Sequence, residues 1–169
     1  MIDPQANYAA LQELLTQSAE YLDWPEENLF HVHKEISGWS IGQHLYHITM
    51  ANASIPKLIE RLKAGTLGNT EDEPKPGMLE LITNGIIPGG REAPKRAVPP
   101  EDLTAELLNR DFKRMQKATK RLEPILGVLH AIPNRFPHLY FGPMSALQWL
   151  RFMEIHTRHH MVIVDKLVE

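Results

Sequence analysis

The sequence contains no cysteine. That absence removes disulfides, thiolate metal ligands and a cysteine nucleophile together, and it suits a cytoplasmic location. An excess of positive charge is also missing: 18 Lys and Arg stand against 21 Asp and Glu, for a formal net charge of -3. Neither a nucleic-acid partner nor a basic membrane-surface helix is predicted from that balance. No apolar run approaches the roughly 20 residues that span a bilayer. The start, Met1-Ile2-Asp3-Pro4-Gln5, lacks the basic and apolar regions of a secretion signal, so neither export nor membrane association is expected.

What is present is an ordinary soluble composition with one anomaly. Hydrophobic residues make up 43% and charged residues 23% of 169 positions, enough for one domain, 1–169, with a sizeable core. The anomaly is nine histidines. Without thiolates, any metal site in this chain must use imidazole and carboxylate ligands.

Helical periodicity dominates the chain. Asp3-Pro4 reads as an N-cap and first turn, followed by Tyr8, Leu11, Leu14, Leu15, Ala19 and Leu22 at helical spacing, with Trp24-Pro25 closing the segment. Phe30 to Gly38 reads as a connection. Ser40-Ile41-Gly42-Gln43 is a capping box that opens a second helix, expected from Ile41 to about Ala64 with Pro56 kinking or interrupting it. Its buried stripe is Ile41, Leu45, Ile48, Ile55, Ile59 and Leu62.

Thr66 to Pro100 holds Pro74, Pro76, Pro88, Pro94, Pro99 and Pro100 among glycines and charges, and it cannot be one continuous helix. Leu79-Glu80-Leu81-Ile82 and Ile86-Ile87 are candidate short extended or helical pieces within it, and the segment is expected to lie over one end of the core. A third helix, capped by Asp102 or Thr104, carries Leu107, Leu108, Phe112, Met115, Ala118, Thr119 and Leu122, and ends near Leu122 or a little beyond Pro124. His130 to Pro143 reads as a second Pro-rich connection. Ser145-Ala146-Leu147-Gln148 repeats the capping box and opens a fourth helix through Leu167. The expected architecture is all-α, a four-helix bundle with a long Pro/Gly-rich insertion, 66–100, between helices two and three.

The fourth helix contains His156-Thr157-Arg158-His159-His160. His156 and His160, four apart, share one helix face at the spacing with which two neutral imidazoles hold one divalent metal. They fall beside or within the apolar stripe of Trp149, Phe152, Met153, Met161, Ile163, Val164 and Leu167. Buried imidazoles without partners are costly, and a metal would satisfy both. His-x-x-x-His also occurs by chance, and a lone helical histidine is more often a hydrogen-bonded structural residue. A third ligand would come from His44 or His47 on helix two, and periodicity does not choose between them. His31, His33, His130 and His138 lie in connections and read as ordinary polar residues, while His159 turns off the stripe as a half-exposed neighbour of the site.

Trp39-Ser40-Ile41-Gly42-Gln43-His44-Leu45-Tyr46-His47-Ile48 resembles the helix-two signature of the DinB/YfiT-like superfamily. Pro137-His138-Leu139-Tyr140-Phe141-Gly142, then Ser145, Gln148-Trp149, and His156 with His160, are similar to the C-terminal part of the same superfamily. The resemblance covers helices two and four well, helices one and three only in pattern, and leaves the 66–100 insertion unmapped. It implies an up-down-down-up bundle, a homodimer, and a three-histidine site for a divalent metal, with nickel or zinc favoured over iron or manganese. Residue by residue, it places the ligands on His47, His156 and His160.

Three imidazoles leave open coordination positions, as catalytic rather than structural sites do. A metal there would lower the pKa of water or of a thiol. Some relatives transfer low-molecular-weight thiols, so the expected function is metal-dependent thiol transfer to, or hydrolysis of, a small molecule. The alternatives are a non-catalytic metal-binding or stress-related interaction protein, and a plain structural bundle. Gln43, Glu154, Arg158 and His159 are candidates to support the site, each also readable as a solvated helix residue. Trp39, Trp149 and Phe152 read as core residues able to wall a pocket.

Overall fold

The computed structural model describes residues 2–69, 71, 75, 77–87 and 92–169. Helix α1, Pro4–Glu20, starts where Asp3 accepts hydrogen bonds from the Gln5 and Ala6 amides, and Pro4 sits in the first turn, where no amide donor is needed. It tightens into a 3-10 turn, Tyr21–Asp23, and stops at Trp24, which is extended ahead of Pro25. A short helix α2, Glu26–Leu29, follows; it has no counterpart in the sequence-based expectation.

The expected second helix is two helices. α3, Ile41–Asn52, begins with the reciprocal Ser40–Gln43 capping box, and α4, Ile55–Lys63, begins beyond Ala53 and Ser54. Pro56 lies in the first turn of α4, so the chain bends just before it rather than losing a helical hydrogen bond at it.

Helix also occurs between residues 66 and 100. Helix α5, Gly77–Asn84, includes the Leu79–Ile82 stretch as helix, and Lys95–Ala97 forms a 3-10 turn, whereas Ile86 and Ile87 are irregular. α5 packs on the last helix through fully buried Leu81, and the 95–97 turn packs on α3. Pro74, Pro76 and Pro88 lie outside the described residues. Thr104, not Asp102, caps α6, Ala105–Lys120, and a 3-10 stretch, Glu123–Ala131, continues past Pro124.

One feature corrects the all-α expectation. The second connection contains an antiparallel hairpin, β1 Arg135–His138 and β2 Gly142–Ser145, registered from Arg135 opposite Ser145 to His138 opposite Gly142. Strands of four residues with a proline in each give no alternating pattern long enough to read. Gly142 closes the turn at φ +72°, and a Cβ there would come within 2.7 Å of the Lys75 side chain. Ser145 ends β2 and is also the N-cap of α7, Ala146–Val168, so the hairpin feeds directly into the last helix.

α7 is the hub, packing against α1, α3, α4 and α5, while α6 closes against α3 and α4. Leu11 and Leu15, Leu45 and Ile48, Ile59 and Leu62, Leu108 and Phe112, and Leu150, Met153 and Val164 are fully buried. Each such side chain contributes roughly 1.5–3 kcal/mol by leaving water. Among the described residues no helix is long and apolar enough to cross a membrane.

Candidate metal centre

Two helices set the site. The Ser40–Gln43 cap fixes where α3 starts, and the Ser145–Gln148 cap does the same for α7. No glycine or proline interrupts α7, so His156 and His160 stay one turn apart on a face that meets α3. A buried hydrogen bond from Asn52 Nδ2 to Thr157 Oγ1, 3.0 Å long, locks the helices in register next to His156. In that register His47, His156 and His160, all buried, each present a nitrogen within 4.8 Å of the others.

One hydrogen bond fixes the tautomer of His47. His47 Nδ1 lies 2.8 Å from the Ala97 carbonyl, which can only accept, so Nδ1 carries the proton and Nε2 carries the lone pair. That Nε2 is 3.1 Å from Nε2 of His156, whose other nitrogen, Nδ1, is buried without a hydrogen-bond partner. His160 Nδ1 lies 3.0 Å from His44 Nδ1, and His44 Nε2 lies 2.9 Å from Ser37 Oγ. If His160 donates to His44 and His44 to Ser37, every contact of this chain is satisfied and His160 Nε2 keeps its lone pair. His44 thus faces inward as well: residues 44 and 47 lie on neighbouring positions of one helix face, and the structure buries both.

Charge is kept off the cluster. Burial lowers the pKa of His44 to about 4, with repulsion from His47 and His159 adding to it. His47 is lowered by burial, against the Ala97 carbonyl, which favours its charged form. His156 and His160 lie well below the usual histidine range, first through burial and then through neighbouring imidazoles. Neutral imidazoles are the form that binds metal. Three of them, with a second nitrogen of His47 already tied to a carbonyl, fit a divalent ion, and the donor set contains no carboxylate.

The triad forms the floor of a cavity of about 920 Å³. Phe152 stacks on His156 at 5.2 Å and Trp39 on His160 at 6.4 Å, so aromatic faces flank the imidazoles. The model of the DinB superfamily matches residues 5–164. The chain belongs to the DinB superfamily. No curated protein and no solved structure shows a significant match to it.

The other residues singled out in this DinB-superfamily chain sort clearly. Gln43 is spent on the Ser40 amide as half of the capping box. Glu154 is buried but points elsewhere, into ion pairs with Arg151 at 2.6 Å and Arg158 at 2.7 Å. His159 lines the cavity beside His160, with ring centroids 5.0 Å apart. Trp39, Trp149 and Phe152 do wall the cavity. His31, His33 and His130 stay outside it, but His138 does not. The hairpin carries His138 onto the cavity wall against Phe152 and Trp149, and its charge would oppose protonation of His156. Sequence reasoning read it as an ordinary connection residue because the strand was not visible; its place in the Pro137–Gly142 motif and the Phe136-x-His138 spacing, two cavity residues at period two, were the signals.

Proposed function

We propose that this protein holds one divalent metal on His47, His156 and His160 and uses the cavity above it to act on a small molecule, by thiol transfer or hydrolysis. The observation that carries this reading is the convergence of three buried, neutral imidazoles within 4.8 Å at the floor of a largely apolar cavity. We place the site on a four-helix bundle of α1, α3 with α4, α6 and α7.

When bound, a three-histidine divalent ion supplies Lewis acidity that brings a thiol or water toward its nucleophilic form near neutral pH. The chain's own residues do the rest. The Ala97 carbonyl and His44 aim two of the imidazoles. Trp39, Phe136, Trp149 and Phe152 exclude water from one side of the reacting groups. In thiol transfer the sulfur bonds to an electrophilic carbon, the leaving group departs with the electron pair, and the thiol proton passes to solvent. A cavity of this size matches small-molecule sites better than a protein-docking surface.

Metal analysis of protein purified under metal-replete conditions tests the site. About one equivalent per chain is expected, and His160→Ala should lose it; unchanged metal content in that variant would refute the ligand set. Turnover of a thiol with an electrophile, abolished by chelation, is the corresponding test of catalysis.

A further inference from the structure

The cavity above the triad has a charge pattern that the metal reading does not use. Its wall is mostly apolar, yet three cationic side chains line it, Lys57, Arg61 and Arg96, against one carboxylate, Glu92. The protein as a whole has fewer basic than acidic residues, so this local excess is not a sample of a basic surface. The histidines of the floor are held neutral and do not add to it. Lys57 and Arg61 sit one turn apart on α4, which puts both on one face. Arg96 comes from the 95–97 turn. None of the three makes an ion pair among the described residues, whereas Arg121, Arg151 and Arg158 all do. Among the described residues the Arg61 side chain makes only a long contact, 3.4 Å, to the Thr66 carbonyl.

Unpaired cations gathered beside an aromatic-walled cavity are complementary to a molecule with an anionic end and an apolar body. We infer that the substrate is an amphipathic organic anion: its carboxylate or similar oxyanion meets Lys57, Arg61 and Arg96, and its apolar body lies among Trp39, Phe136 and Phe152, reaching toward the imidazole floor. This rests on the cavity being the substrate site, as proposed above. It goes further by assigning the substrate's charge and naming three residues that read it. Arginine suits such a role because its planar fork can hold a carboxylate by two hydrogen bonds.

Calorimetric titration of the chelator-treated full chain with 4-phenylbutyrate and with its neutral isostere 4-phenylbutanamide tests the inference. Removing the metal keeps carboxylate–metal bonding out of the result. The anion should bind roughly tenfold tighter than the amide, since a few solvent-facing charge pairs are modest individually. In about 1 M salt, where the Debye length is about 3 Å, most of that preference should disappear. It should vanish in the triple variant Lys57→Gln, Arg61→Gln, Arg96→Gln, whose exposed side chains carry no core packing. Equal binding of the two ligands, binding of neither, or a preference that survives in the triple variant would overturn the inference. Metal content of the untreated protein, measured in parallel, reports on the three-histidine site separately, so failure of one does not imply failure of the other.

Discussion

His44 stands one hydrogen bond behind the triad, and its role can be separated from that of the ligands. Its Nδ1 is 3.0 Å from His160 Nδ1, and its far nitrogen is tied to Ser37, which also accepts from the Trp39 amide. Removing His44 leaves three candidate ligands in place but frees the ring of His160. His44→Ala should therefore weaken metal affinity about 10–100-fold, the usual effect of losing such an orienting partner, without abolishing binding as His160→Ala should. Competition with a chromophoric chelator measures this; an unchanged affinity would mean that His44 is only a core residue. From sequence, His156 and His160 were legible as a pair because spacing alone puts them on one face. His47 was not separable from His44 by periodicity, since both are buried, and the resemblance was needed to choose. What distinguishes them physically is the acceptor beyond each ring. For His47 that acceptor is a backbone carbonyl, which no side-chain pattern announces.

At the scale of elements, Glu154 pairs with Arg151, which bridges α7 to α1. Its carboxylate sits between Arg151 and Arg158 on α7, and Arg151 also donates to Asn7 Oδ1 on α1 at 2.8 Å. Glu154→Ala would leave Arg151 without its buried counter-charge. A loss of roughly 3 kcal/mol is expected, at the low end for breaking a buried pair because Arg158 is half exposed. Urea denaturation measures it, and metal content should stay unchanged; a variant that kept full stability but lost metal would return Glu154 to the site. The helices themselves were readable because their caps and apolar stripes agree: both capping boxes form, and every residue of the Ile41–Leu62 stripe is buried. The hairpin was not readable. Its two strands gain their stability from cross-strand pairing and from the helix that follows, and neither is encoded in a four-residue window.

For the whole molecule, the buried histidines tie stability to pH. In the fold they are held neutral, while an unfolded histidine titrates near 6.5, so below that pH the unfolded chain binds more protons. The metal-free protein should therefore be fully stable above about pH 6.5 and lose stability as the pH falls. The His44 share of that loss continues down to its own pKa of about 4 and amounts to roughly 3 kcal/mol at most. Urea midpoints of chelated protein across this range report it. A flat profile between about pH 6.5 and 5, above the range where carboxylates titrate, would contradict neutral burial of the cluster.

The hydrogen bond from His47 to Ala97 also sets an order of events. It joins residues 50 positions apart, and the contacts of His47 with His156 and of His44 with His160 join residues 109 and 116 positions apart. No local stretch of chain can form this site, because each part lies across a long loop closure from the next. A ribosome-bound chain that has emerged only as far as α6 carries His47 without His156 and His160. Binding of a divalent ion by all three histidines would then have to wait until α7 has been made.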